Sequence, residues 1–245
     1  MSGRYILLDA GNTRLKWAVV EDGHWHATGR GDYSDWSALT AQLKADSRCF
    51  VASVASLEHE RQLAVLLEAA GLTPAWLRAE TRFGDVKNTY SNPHQLGADR
   101  WMGLIAARQR IADEAVLVVS VGTAMTVDAL SADGTFLGGV IVPGVHLMQQ
   151  ALRQGTARIH EVVGAWQAFP NATPAAVQSG IVAALCGAIA QQHARLAEVA
   201  GMAPRCLLTG GDAEKVLSHL RIPAEHVPAL VLEGIDCVAR GTAAS

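Results

Sequence analysis

A chain of 245 residues, half hydrophobic and 18% charged, with 23 glycines and 8 prolines, has the composition of an ordinary soluble globular protein, and its length allows one large domain or two small ones. The net charge of −3 is accompanied by no basic stretch, which argues against nucleic acid as a partner. The N-terminal apolar run breaks at Asp9 after only four residues, too soon for a signal peptide, and no uninterrupted apolar run approaches the roughly 18 residues of a membrane helix.

In chain order, residues 4 to 8 and 14 to 20 read as strands around a tight turn. Glu21-Asp22-Gly23 signals a hairpin into a third strand at 24 to 30. A helix is expected from Ser34, a good N-cap, with Trp36, Leu39 and Leu43 on one face. Cys49 to Ala55 is a short buried strand, and residues 57 to 71 form an amphipathic helix closed by Gly71. Residues 75 to 80 make another strand, and 95 to 112 a helix. The pattern then restarts, with strands at 115 to 121, 124 to 130 and 135 to 142 and helices at 144 to 154 and 174 to 200. A strand over 205 to 211 runs into glycines; a helix at 212 to 220, a short strand near 230 and a helix at 233 to 243 complete the chain. The cysteines at 49, 186, 206 and 237 have no CxxC spacing and read as free thiols of a reducing cytosol. The nine histidines lack HxxxH or HExxH spacing, which argues against zinc.

The restart is a repeat. Gly11 and Gly122 lie 111 residues apart, as do Gly23 and Gly134, and Asp22-Gly23 is answered by Asp133-Gly134. Matched turns within matched strand patterns predict two similar α/β domains with mixed sheets, 1–113 and 114–245, and a ligand cleft between them. A Gly- and Thr-rich turn between strands clusters backbone N–H groups into an anion-binding concavity. Asn12, Thr13 and Thr123 add side-chain donors; Asp9 could hold magnesium through water, and Lys16 could neutralise phosphate charge. Where the first copy has Asp9, the second has Ser120. The third feature, Thr209-Gly210-Gly211 after a strand, leaves room for an adenine or ribose against bare backbone.

"DAGNT" and "VGTAMT" resemble the two phosphate motifs of the actin, Hsp70 and sugar-kinase superfamily, and "LTGGDA" its adenosine motif. Within it the chain is similar to the type III pantothenate kinases (Bvg accessory factor-like). The match runs through "LLDAGNTRLKW", "KNTYSNPHQLGADRW" (87 to 101), "GGVIVPGVHLMQQAL", "TARI" and "NATPAAVQSGI", nearly the whole chain. The resemblance implies two actin-like domains with an interdomain nucleotide cleft, and ATP-dependent phosphorylation of pantothenate to 4′-phosphopantothenate, the first step of coenzyme A synthesis.

It also implies roles for residues. Asp99 is the catalytic base; Tyr90, Gly97, Ala98, Asp99, Arg100 and Thr173 form the pantothenate site, Thr173 working in a pocket completed by a second subunit, hence a homodimer. Asp9, Ala10, Gly11, Asn12, Thr13, Arg14, Leu15 and Lys16, with Gly122 and Thr123, hold the ATP phosphates, and Gly210 and Gly211 the adenosine. The cofactors are ATP and magnesium, the location cytoplasmic, with no membrane or nucleic-acid partner and no inhibition by coenzyme A. In many members the position of Ser120 is an aspartate that helps bind potassium or ammonium, so a weakened or absent monovalent-cation site is expected here. The alternatives are another small-molecule kinase of the superfamily and a regulatory accessory factor.

Overall fold

Apolar residues fill both faces of the first strand, Arg4–Ala10 (β1), as a central strand of a covered sheet requires. In the computed structural model, which describes residues 3–241, β1 pairs antiparallel with Arg14–Glu21 (β2), and β2 with His24–Asp32 (β3). On its other edge β1 runs parallel to Arg48–Ser53 (β4), followed by Pro74–Leu77 (β5), so the mixed sheet has the order β3-β2-β1-β4-β5. Asp22 and Gly23 both take positive φ, 48° and 81°, the geometry of a tight hairpin turn.

The helix expected from Ser34 shrinks to one turn, Ser37–Thr40 (α1). Asp35, not Ser34, accepts from the Ser37 N–H at 2.9 Å, and Leu39 is the one residue of this turn that is fully buried. Trp36 and Leu43 still pack on the first core beside Leu39, so the apolar face is kept without the further turns. Leu57–Ala69 (α2) does form as expected: Ser56 caps it by accepting from His59 N–H. Its end is a Schellman motif, with Gly71 N–H bonded to Glu68 O and Leu72 N–H to Leu67 O, both at 2.9 Å. Two strands too short to show a pattern, Arg82–Phe83 (β6) and Val86–Asn88 (β7), form a hairpin. The helix expected over 95 to 112 splits. Pro93–Gln95 is a 3-10 turn, Leu96 is extended at ψ 128°, and Ala98–Arg110 (α3) begins afresh.

The restart builds a second sheet: Val116–Val121 (β8), Ala124–Leu130 (β9), Thr135–Pro143 (β10), then Val145–Gly155 (α4) and Thr173–Ala200 (α5), then Arg205–Thr209 (β11), Ala213–Leu217 (α6) and Glu225–His226 (β12). These strands run in the order β12-β11-β8-β9-β10. Although no uninterrupted apolar run was expected to reach membrane length, α5 as a whole is long and apolar enough to cross a membrane by length and composition. Its stripe of Ile181, Leu185 and Ile189 instead packs with Leu117, Val119 and Met125 in a core cluster.

Two expectations are corrected at the C-terminal end. The short strand expected near 230 stands earlier, at Glu225–His226, and residue 230 opens Leu230–Gly241 (α7), one continuous helix with Leu230, Ile235 and Ala239 fully buried; the rest of the helix expected over 233 to 243 lies outside the described residues. The range 114–245 does not form one domain. The compact units are the chain up to Arg110 together with the chain from Ala229, and Ile111–Pro228. The reason is packing: α7 lies on α3 and β1. Gly234 meets α3 so closely that a Cβ there would be 1.9 Å from Met102 O. Asp236 on α7 accepts from Tyr5 Oη at 2.6 Å, from Trp25 Nε1 at 3.1 Å and from Arg240.

Candidate active site

Gly11, Asn12 and Thr13 join β1 to β2, and with Arg14, the first residue of β2, they span the turn closed by the Ala10–Leu15 pair. Gly11 N–H donates to Arg14 O at 3.1 Å and closes the turn. Its counterpart between β8 and β9 is one residue shorter, because Val121 pairs with Met125 and Gly122 N–H bonds Ala124 O at 3.0 Å. The glycines match at a fixed offset, but the two turns differ in form.

At the base of the first loop, Asp9 is buried and faces Lys16 across the β1–β2 ladder. Burial pushes its carboxyl up to about 6; Lys16 opposes the rise and the charge of Asp99 adds to it. The charge of Asp99 is therefore felt at Asp9 within the first unit. Tyr33, following β3, donates to Gly11 O at 2.5 Å. Burial first, then the charges of Asp9 and Glu60, push its hydroxyl up to about 12, so it stays protonated.

Asp99 stands in the first turn of α3, where its Oδ1 accepts from the Arg100 N–H at 2.8 Å. Burial raises its pKa, against the lowering effect of that hydrogen bond and of the Arg100 charge. Gly97 makes room for it: a Cβ at 97 would lie 2.7 Å from Asp99 Oδ1. Arg100 is itself buried and donates to Tyr90 Oη at 3.2 Å, with its guanidinium 5.9 Å above the Tyr90 ring. Gly97 and Ala98 also line a pocket of about 480 Å³ with Ser53, Glu60, Arg78 and His94. It opens at the carboxyl ends of the parallel strands β4 and β5, the usual ligand position of such sheets. The structure thus gathers Asp9, Gly97, Ala98, Asp99, Arg100 and Tyr90 in one unit.

The second unit gathers Gly122, Thr123, Gly210 and Gly211. Gly210 has φ 99°, and a Cβ there would lie 2.2 Å from Val121 O; Asp212 N–H donates to that same carbonyl at 3.0 Å. The glycine turn expected to meet adenosine therefore seats on the end of β8. Gly144, at the N-cap of α4, was not picked out from sequence. Its N–H donates to Thr123 O at 2.9 Å, and a Cβ would meet Gly122 O at 2.0 Å. Ser120 pairs with Thr126 on β9 and with Thr209 on β11, so three hydroxyl residues stand in register at the position where the resemblance gives many members an aspartate. Thr173 opens α5 and lines an apolar pocket of about 880 Å³ with Met148, Leu152 and Ile159.

Among the described residues no three His, Cys, Asp or Glu side chains form a metal-binding group. A phosphate-bound magnesium ion needs only one or two carboxylates, the rest of its shell being water and phosphate. Asp9, a buried carboxylate at the end of β1 beside the first loop, can supply one such ligand through water.

A family model for type III pantothenate kinase matches residues 5–195. A type III pantothenate kinase of Thiobacillus denitrificans is 63% identical over 240 residues, covering 98% of each chain, and one of Chromobacterium violaceum is 42% identical over 96% of this chain and 98% of its own. Among solved structures, the activator of 2-hydroxyisocaproyl-CoA dehydratase from Clostridium difficile with bound ADPNP superposes with a TM-score of 0.55 at 10% identity, covering 99% of this chain and 98% of that one. A 2-dehydro-3-deoxygalactonokinase protein from Sinorhizobium meliloti superposes with a TM-score of 0.58 at 15% identity, covering 97% and 96%. These two likenesses concern the fold, which is that of the actin-like ATPases and sugar kinases.

Proposed function

The chain belongs to the type III pantothenate kinases, and on that premise we propose that it transfers the γ-phosphoryl group of ATP to the primary hydroxyl of pantothenate, giving 4′-phosphopantothenate and ADP. The observation that carries the mechanism is the setting of Asp99: a carboxylate in the first turn of α3, beside the pocket of Gly97 and Ala98 and close enough to Asp9 to raise its pKa. Asp99 accepts the hydroxyl proton as the oxygen attacks the γ-phosphorus, and the bond from that phosphorus to the β–γ bridging oxygen breaks. Burial makes Asp99 a stronger base than a surface aspartate, which suits the task. Arg100, already aligned by Tyr90, offers its guanidinium to the pantothenate carboxylate. The N–H groups and hydroxyls of 11–14 and of Gly122 and Thr123 bind phosphate oxygens, with Lys16 neutralising charge; Gly210 and Gly211 receive the adenosine. Asp9 would hold a magnesium ion through water, and that ion, when bound, neutralises charge on the phosphates.

Mass spectrometry of the product from pantothenate plus MgATP tests the reaction; absence of a phosphorylated product, with another acceptor consumed in an ADP-release assay, would point to a different kinase of the superfamily. ATP binding with no acceptor phosphorylated would favour a regulatory factor. The working form is a cytoplasmic homodimer in which Thr173 serves a site completed by the second subunit; a sedimentation mass of one chain at assay concentration would refute the dimer. The row of Ser120, Thr126 and Thr209 offers only neutral oxygens, so monovalent-cation dependence is weak or absent, any remaining charge requirement being met elsewhere. Strong saturable activation by low-millimolar potassium, in buffer free of sodium and ammonium, would contradict this.

A further inference from the structure

Tyr33 lies outside every motif that suggested the function, yet its hydroxyl reaches the first phosphate loop. It donates to the carbonyl of Gly11 at 2.5 Å. Its ring is held on two sides. It stacks on His59 with centroids 3.8 Å apart and planes 6° from parallel, and it meets Trp36 edge-on at 5.5 Å. His59 is fixed through its backbone, whose N–H donates to the Ser56 cap of α2. Its Nδ1 is buried with no hydrogen-bond partner among the described residues, so the stack rather than a polar contact at Nδ1 sets the ring.

The consequence follows from peptide geometry. The Gly11 carbonyl and the Asn12 N–H share one planar trans unit and point in opposite directions. Gly11 N–H is committed to Arg14 O, and Gly11 O to Tyr33. With both ends of Gly11 fixed, the next peptide plane cannot rotate, and the Asn12 N–H faces away from Tyr33. Among the described residues that N–H makes no backbone hydrogen bond, and Asn12 is exposed.

We propose that Tyr33 is a positioning residue for ATP, holding the Gly11–Asn12 peptide so that the Asn12 N–H is presented to a phosphate oxygen. This rests on reading 11–14 as a phosphate loop. Without the hydroxyl the peptide can turn, and a donor becomes an acceptor facing an anion. His59 supplies the slab that keeps the phenol ring in place.

The test compares binding of MgATP and of adenosine, by calorimetry, to the wild type, Tyr33→Phe and His59→Ala, alongside the KM for pantothenate and the Tm. Tyr33→Phe keeps the stack and removes only the donor. Losing one hydrogen bond's positioning should weaken ATP about two- to tenfold, leaving adenosine affinity and the pantothenate KM unchanged. His59→Ala should shift ATP in the same direction by less, and it carries the comparison if Tyr33→Phe fails to fold. Unchanged ATP affinity, or equal losses for ATP and adenosine, overturns the proposal. A wild type that binds ATP but phosphorylates nothing would sink the catalytic reading and leave this comparison standing; one that does not bind ATP would overturn both.

Discussion

Replacing Gly144 by alanine tests the second phosphate loop from a residue that itself carries no chemistry. The added methyl would lie 2.0 Å from Gly122 O and 2.7 Å from Thr123 O, where side-chain β-carbons come no closer than 3.0 Å to such atoms. Both are backbone atoms, so no side chain can swing aside, and the loop must retreat by about 1 Å. The Gly144 N–H to Thr123 O bond is pulled out of shape with it. Overpacking of this kind costs about 1–3 kcal/mol of stability, and a misplacement of about 1 Å in a positioning element costs on the order of 10²-fold in rate. The expected result is kcat/KM for ATP down about 100-fold, with the Tm lowered by several degrees and the far-ultraviolet spectrum unchanged. Kinetics in a coupled ADP-release assay, with a parallel melt, measure both. A variant with kcat/KM within twofold of the wild type would refute the reasoning. If the Tm fell without the rate, the loop would be structural and would not grip phosphate.

Two further outcomes are expected. Asp99→Asn should lower kcat by about 10²–10⁴-fold, the usual cost of losing a general base, with ATP affinity measured by calorimetry nearly intact; more than about a tenth of wild-type kcat would remove Asp99 from that role. Asp9→Asn should raise the Tm of the nucleotide-free protein at pH 7. A carboxyl raised from 3.8 to about 6 in the fold binds more protons folded than unfolded in that interval. The wild type therefore loses stability as pH rises from about 4 to 6, on the order of 3 kcal/mol in full. The Tm advantage of Asp9→Asn should shrink as pH is lowered through that window; an advantage independent of pH would contradict it.

The turns proposed to carry chemistry stood out in sequence because Gly- and Thr-rich segments at strand ends recur at one offset, 111 residues apart. Gly11, Gly122 and Gly210 announce themselves locally. What sequence hid was set by partners far along the chain. The missing residue in the second loop shows only in the pairing of Val121 with Met125. Gly144 is glycine because of a carbonyl 22 residues earlier, and nothing beside it in sequence says so. The start of α7 at Leu230, three residues before the helix expected from 233, shows only once α3 and β1 are there to bury one side of it. At Ser34 the local signal was right about which residues reach the core, Trp36, Leu39 and Leu43, and wrong about how many helical turns carry them there. Tyr33 and His59 carry no motif at all; their roles come from a contact between the segment after β3 and the first turn of α2.

The hydrogen bond from Tyr5 to Asp236 joins positions 231 residues apart. On a ribosome that separation is time. Strands β1 to β5 and α3 emerge first, but α7, which packs on β1 and α3, follows residues 111–228, so that packing must wait while the second unit is synthesised and folds. At about 5–20 residues per second, that wait lasts on the order of ten seconds or more. The nascent chain is thus exposed to chaperones and to its neighbours over an interval fixed by topology, and substitutions in α7 that leave the finished enzyme untouched can still lower its yield.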